Sequence, residues 1–352
     1  MKLNPRPFAA VIGVVTILIC LAVPALAMAD SSRSKAPASK KSAVTAKKTV
    51  IPADEILRRS SAYFANPPYL LAEEVYGKIV QGGDNSFFLV SLQSRDGFAK
   101  GHVPGAVNIP FSEIAEPTAL KLLPRSRKIV LTCDDGHRSM AAALYFAQLG
   151  YNVATMPMGL NRWNAVASGI ASPYAGSAGY PVATEPVEAT SKHTLPVFTS
   201  TARNGRKLIT ERTRKVLASG RSLFIDRNEV YERVIKGGDD RYVLVSIQRP
   251  EDYAKGHVPG AINIPYNELA KPGSLRKLPG DKKIVVICYI GHMAGAASLL
   301  LNQLGFEAYD MRFGTLGWND TTAGLGSAKD FLVGLGKTLN YPVAGDLEKN
   351  GN

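Results

Sequence analysis

The chain has little cysteine: three residues in 352, Cys20, Cys133 and Cys288, and no CxxC pair. That scarcity excludes a disulfide-stapled scaffold and a dithiol redox motif. Nowhere do His, Cys, Asp or Glu recur at metal-ligand spacing, so neither a metal nor any other cofactor is expected. Basic residues are not interleaved with aromatics in the body of the chain, which argues against nucleic acid as a partner. The net charge of +13 does not contradict this. Residues 1–49 carry eight Lys/Arg and one Asp, so +7 of the total sits there and +6 is spread over the rest. Charged residues make up only 20% of the chain and hydrophobic ones 45%. A mostly disordered protein is thereby excluded, and there is enough apolar mass for two ordinary domains.

The N-terminus has its own layout. Lys2 and Arg6 precede an apolar run over 8–23, followed by Pro24 and Ala25-Leu26-Ala27. This is the pattern of a secretory signal peptide with a small-residue cleavage site. The alternative is an uncleaved membrane anchor, because 8–29 is nearly long enough to span a bilayer. Lipidation of Cys20 is disfavoured, since Ile19 stands where a small residue is required. On either reading the body is exported, to the periplasm or anchored facing it.

Two stretches carry the chemistry. Over 128–150 the chain reads KIVLTCDDGHRSMAAALYFAQLG, and over 283–305 it reads KIVVICYIGHMAGAASLLLNQLG. Each is a short β-branched run, a cysteine, a Gly-containing turn and a helical pattern ending in Gly. A cysteine between a strand end and a helix start lies at the carboxyl edge of a sheet, where free backbone amides and the helix dipole favour a thiolate or a bound anion. Cys288 follows Cys133 by 155 positions; His257 follows His102, and Trp318 follows Trp163, by the same offset. A constant offset marks two copies of one folded domain rather than a solenoid. The copies diverge after the Trp, for Tyr180-Pro181-Val182 returns as Tyr341-Pro342-Val343 at an offset of 161. Within each copy, alternating strands and helices predict a parallel sheet. Helices are expected over 53–63, 71–80, 95–100 and 138–149, and strands over 87–91, 129–132 and 153–156.

The segments GHVPGAVNIP and GHVPGAINIP, the cysteine loops CDDGHRS and CYIGHM, and the GxxxW endings together resemble the rhodanese sulfurtransferases over about 69–164 and 224–319. The resemblance implies an α/β fold of two tandem rhodanese-like domains, each a small parallel sheet with helices on both faces. It also implies cysteines that carry sulfur as persulfides. The expected organisation is 1–29 signal peptide or N-terminal anchor, 30–52 basic flexible linker, 53–180 first domain, 181–205 linker and 206–345 second domain, with a fragment from about 200 onward folding alone. The implied nucleophiles are Cys133 and Cys288. Their substrate-binding loops are Asp134, Asp135, Gly136, His137 and Arg138 in the first copy, and Tyr289, Ile290, Gly291, His292 and Met293 in the second. Implied partners are small sulfur-containing anions as donors, and thiols, cyanide or a protein as sulfur acceptors; a non-catalytic sulfur-carrier or partner-binding module is the alternative. Two further readings of the cysteines are a buried structural pair and a Cys133–Cys288 disulfide.

A tyrosine phosphatase needs C-x5-R, whereas Arg138 follows Cys133 at C-x4-R and the second loop has no arginine. The loops differ in charge. Asp134 and Asp135 are expected to raise the Cys133 pKa against Arg138, while Cys288 has an apolar loop without a fixed cation. Both copies also depart from the family's Asp-x-Arg at a strand end, reading Ser91-Leu92-Gln93 and Ser246-Ile247-Gln248. His102 and His257 are read as hydrogen-bonded structural residues, and Trp163 and Trp318 as packing residues that close each domain.

Overall fold

A computed structural model describes residues 52–166, 170, 173–189 and 192–346. The proposed signal or anchor and most of the basic linker lie outside these residues, as does Cys20. Among the described residues no helix is long and apolar enough to cross a membrane.

Each copy builds a parallel sheet. In the first the strand order is β2-β1-β3-β4, with β1 Phe87–Ser91, β2 Val107–Asn108, β3 Lys128–Thr132 and β4 Val153–Thr155. In the second it is β5-β9-β8-β6-β7, with β5 Phe224–Ile225, β6 Tyr242–Ser246, β7 Ile262–Asn263, β8 Lys283–Ile287 and β9 Glu307–Met311. The central strands β3 and β8 are buried along nearly their whole length, as continuous Val/Ile/Leu runs in a covered parallel sheet should be. The sequence misses β5 and the single bridge Tyr69↔Thr155 that extends the first sheet. The helix expected over 71–80 is one α-helical turn followed by a π-helix, Val75–Gln81, and the second copy repeats this at Tyr231–Lys236.

Four helices form the layer between the sheets: α1 Pro52–Ala65, α2 His137–Gln148, α3 Gly205–Ala218 and α4 His292–Leu304. Twelve of the thirteen residues of α4 are buried, which explains a helix apolar on every side. α2 and α4 lie side by side and parallel. Their first residues meet, with the His137 and His292 rings 5.6 Å apart, and at their far ends Gln148 and Gln303 exchange amide hydrogen bonds of 2.8 and 2.9 Å. Small residues allow the approach: a Cβ at Gly295 would lie 2.6 Å from the His137 carbonyl.

The core does not divide at the linker. One continuous apolar cluster takes in Ile56, Leu131, Leu144 and Phe146 together with Ile209, Val286, Leu299 and Leu300, and the described residues form a single compact unit. The copies thus share the core between their sheets, while each keeps a cluster of its own on the other face, around Trp163 in the first and Trp318 in the second. The chain ends also cross over. Trp163, the buried end of the first copy, donates through Nε1 to Pro342 O at 2.7 Å, and Tyr76 stacks on Tyr341 with centroids 4.2 Å apart. Trp318 in turn donates to Pro181 O at 2.7 Å, with Tyr180 stacked on Tyr231 at 3.9 Å. Backbone bridges His102↔Ala344 and Ala183↔His257 complete the exchange. Each tryptophan therefore closes its domain as expected, but under the Tyr-Pro-Val segment of the other copy.

Candidate functional site: two thiols at one domain seam

Cys133 follows β3 and Cys288 follows β8, each just before a helix N-terminus. Gly136 and Gly291 cap those helices with φ of 89° and 85°, a left-handed conformation that costs a glycine nothing. The turn aims backbone amides inward, and Gly136 N donates to Cys133 Sγ at 3.0 Å. At Cys288 the amides of Ala294, Ile290 and Gly291 favour the thiolate. Behind each loop Gly159 or Gly314 presses on the cysteine carbonyl so closely that a Cβ would overlap it, which accounts for the glycine of each GxxxW ending. The residues before these glycines, Met158 and Phe313, are strained at φ of 58° and 61°.

The two loops face each other, and each histidine crosses the seam. His137 Nδ1 donates to Asp310 Oδ2 at 2.6 Å, and its Nε2 receives the Phe313 amide at 3.2 Å. His292 Nε2 receives the Met158 amide at 3.2 Å and lies 3.1 Å from the Asp135 carbonyl. Each imidazole packs so tightly on the opposite capping glycine that a Cβ at Gly136 or Gly291 would overlap it. Arg312, from the second copy, pairs with Asp135 Oδ2 at 2.5 Å, and Asp135 Oδ1 lies 3.6 Å from Cys133 Sγ. Arg138 pairs with Asp134 at 3.1 Å.

Burial dominates the electrostatics. Both thiols are wholly buried and free. Burial pushes the Cys133 thiol up to about 12, with Asp135 and Asp134 adding to the rise and Arg138 opposing it. The Cys288 thiol is also pushed up to about 12, by burial and then by Asp310. The sequence expected the dipole and the loop to favour thiolates; in this closed arrangement desolvation outweighs them. Burial also raises Asp135, but His137, Arg312 and Arg138 outweigh it and hold that carboxyl well below its usual range. Burial alone would lower His137, yet Asp310 and Asp135 raise it; burial lifts Asp310 to about 6 against the pull of His137.

His292 is pushed down to about 3 by burial and by His137. Between pH about 6.5 and 3 the unfolded chain binds a proton that folded His292 refuses, so this group's contribution to stability falls as pH falls, by up to about 1.4 kcal/mol per unit. His292→Gln is expected to flatten the decline of melting temperature between pH 7 and 4 relative to the native protein. Parallel declines in the two would refute the assignment.

Several sequence expectations change here. Cys288 does not lack a charged neighbourhood, because His137 and Asp310 stand beside its loop. The Ile290 side chain packs with Met158, Phe313 and Leu316 while its amide stays in the Cys288 cradle, and the half-buried Met293 packs on the main core. Tyr289 donates to Asp252 Oδ2 at 2.6 Å and accepts from Arg249 N at 3.1 Å. The loops meet face to face as a disulfide would require, yet both cysteines are free. His102 and His257 are structural: each Nδ1 meets a carbonyl, Phe98 O at 2.6 Å and Tyr253 O at 2.8 Å, with the ring stacked on that residue's side chain. The Ser-x-Gln departure is a local network: Ser91 Oγ donates to Gln93 Oε1 at 2.8 Å and Gln93 Nε2 to Gly101 O at 3.0 Å, repeated at Ser246 and Gln248. Asp310 and Arg312 were missed, since their positions in the first copy hold Thr155 and Pro157. Among the described residues no cluster of metal-binding side chains occurs.

Paired strand–cysteine–helix units with a tight amide loop define a tandem α/β thiol protein. The sequence profile of the rhodanese-like domain matches residues 71–166 and 226–321, and the chain belongs to that family. Over 95 residues it is 39% identical to the HTH-type transcriptional regulator Rv0324 of Mycobacterium tuberculosis, covering 26% of this chain and 40% of the length of that curated relative. Among solved structures, thiosulfate sulfurtransferase from Pseudomonas aeruginosa aligns at 18% identity over 74% of this chain and 45% of the other, with a TM-score of 0.30. A rhodanese-related protein from Thermoplasma volcanium aligns at 27% identity over 26% of this chain and 86% of the other, with a TM-score of 0.24.

Proposed function

We propose that this protein is a sulfurtransferase that carries sulfane sulfur on Cys133 and Cys288. The carrying observation is the amide cradle: a thiol at a helix N-terminus with Gly136 N 3.0 Å from its sulfur. In the reaction a cysteine thiolate attacks the outer sulfur of a donor such as thiosulfate or polysulfide. The sulfur–sulfur bond of the donor breaks, sulfite or a shortened polysulfide leaves with the electron pair, and a persulfide anion remains. An acceptor (cyanide, a thiol or a protein thiolate) then takes the outer sulfur and restores the cysteine thiolate. Backbone amides and the helix dipole stabilise the anionic outer sulfur, whose lower basicity suits a desolvated loop better than the parent thiolate.

A second reading, a sulfur carrier without turnover, is favoured by the complete burial of both sulfurs. Intact-mass analysis after incubation with thiosulfate or polysulfide is expected to show a gain of one sulfur per active loop, removed by cyanide. A gain that cyanide does not remove would favour the carrier; no gain would refute both readings.

A further inference from the structure

Neither thiol reaches solvent, so some route must admit a reagent to each. The shared core and the Gln148–Gln303 pair hold α2 against α4, and the exchanged Tyr-Pro-Val segments tie the two copies together at their tryptophans. The N-terminal ends of those helices are different. There a cavity of about 230 Å³ opens at the seam, walled by Asp135, His137 and Arg138 from the first copy and by Ser222, Phe224 and Arg312 from the second.

Two of its walls reach the cysteine loops. Asp135 Oδ1 is 3.6 Å from Cys133 Sγ, so the Asp135 side chain separates the cavity from the first thiol. His137 packs on Gly291, whose amide belongs to the Cys288 cradle, so the His137 ring touches both the cavity and the second cysteine loop. Each of these two side chains is held in place by a partner from the opposite copy, Asp135 by Arg312 and His137 by Asp310. Arg312 is itself partly exposed, and its outward swing would leave Asp135 held by the His137 amide, which donates to Oδ1 at 3.2 Å.

We propose that this cavity is a single entrance serving both Cys133 and Cys288, with the Arg312–Asp135 and His137–Asp310 pairs as its gate. The occupant is a small sulfur donor or acceptor with polar ends, in contact with Arg138, Arg312 and the Phe224 ring. Asp226 lies at the same cavity and works against bulky polyanions. The two loops then share one point of access, and displacement of Arg312 affects both thiols, because Arg312 pairs with Asp135 and lies over the ring of Phe313, whose amide meets His137. This inference rests on the sulfur-transfer reading for its occupant, but the gate is tested without sulfur.

Iodoacetamide is added to the native full-length protein, and alkylation of each cysteine is followed by peptide mass spectrometry. In the native protein both cysteines are expected to react far more slowly than in urea and in step with each other. Ser222→Trp, at the exposed rim, is expected to slow both by about tenfold; Arg312→Gln is expected to accelerate both by about tenfold. The proposal is overturned if either variant changes only one cysteine, if Arg312→Gln changes neither, or if the native rates differ by more than tenfold. The comparison of native rates and the Arg312 variant decide the matter even if the Ser222 variant misfolds. A protein that alkylates as expected but gains no sulfur from thiosulfate or polysulfide would refute sulfur transfer and leave the entrance standing.

Discussion

With Cys133 and Cys288 both replaced by serine, sulfur transfer from thiosulfate or polysulfide to cyanide is expected to fall to the buffer rate. That is a loss of at least about a thousandfold, on the scale seen when a nucleophile is removed. Full activity in the double variant would discard the persulfide mechanism. The single variants carry more information. Read from the loops alone, Cys133 faces two carboxylates and one arginine while Cys288 has a more apolar loop without a fixed cation, so the two should prefer different donors. The structure narrows that difference, because His137 with Asp310 brings charge to Cys288 and Arg312 offsets Asp135 beside Cys133. Each single variant is therefore expected to retain measurable transfer, with thiosulfate-to-polysulfide ratios within about threefold of each other. A much larger divergence would show that the loops act as chemically separate sites.

A fragment of residues 200–352 is expected not to fold cooperatively, and to aggregate or bind a hydrophobic dye. The linker and the fixed repeat offset would suggest the opposite. The fragment, however, keeps α4 without the α1 and α2 surfaces that bury it, and keeps Trp318 without Tyr180–Ala183. Baring several large apolar side chains at about 1.5–3 kcal/mol each exceeds the typical stability of a domain of that size. Circular dichroism and thermal melting test this. A sharp, reversible melt of a monomeric fragment would show that the second core is self-sufficient after all.

The contrast between these two predictions shows which features the sequence declares. Local rules declare the strands: β-branched runs between turn residues gave 87–91 and 129–132 within a residue of the observed ends. The cysteines, the capping glycines and the GxxxW glycines were also legible, since each answers a backbone requirement set by its immediate neighbours. What failed was everything set across the seam. His137 was placed with Cys133 by adjacency, yet its ring lies in the second copy's loop. Asp310 and Arg312 carry no local signal at all, because a buried acid at the end of β9 makes sense only once a histidine from elsewhere reaches it. The repeated Tyr-Pro-Val was visible as a motif, but no local property of the motif names the tryptophan it covers. The π-helices at Val75–Gln81 and Tyr231–Lys236 likewise look like ordinary helix in composition.

The exchanged ends bear on how the chain is made. As the polypeptide emerges from its N-terminus, the first sheet can pair as soon as β4 is present, but the groove over Trp163 stays open. The segment that fills it, Tyr341–Ala344, lies beyond the last strand of the second sheet. The first half must therefore wait, with an indole and the flank of α2 uncovered, through the synthesis of nearly two hundred further residues. Vectorial, domain-by-domain folding is denied to this chain: the first domain closes only once the segment that follows the second sheet has been made.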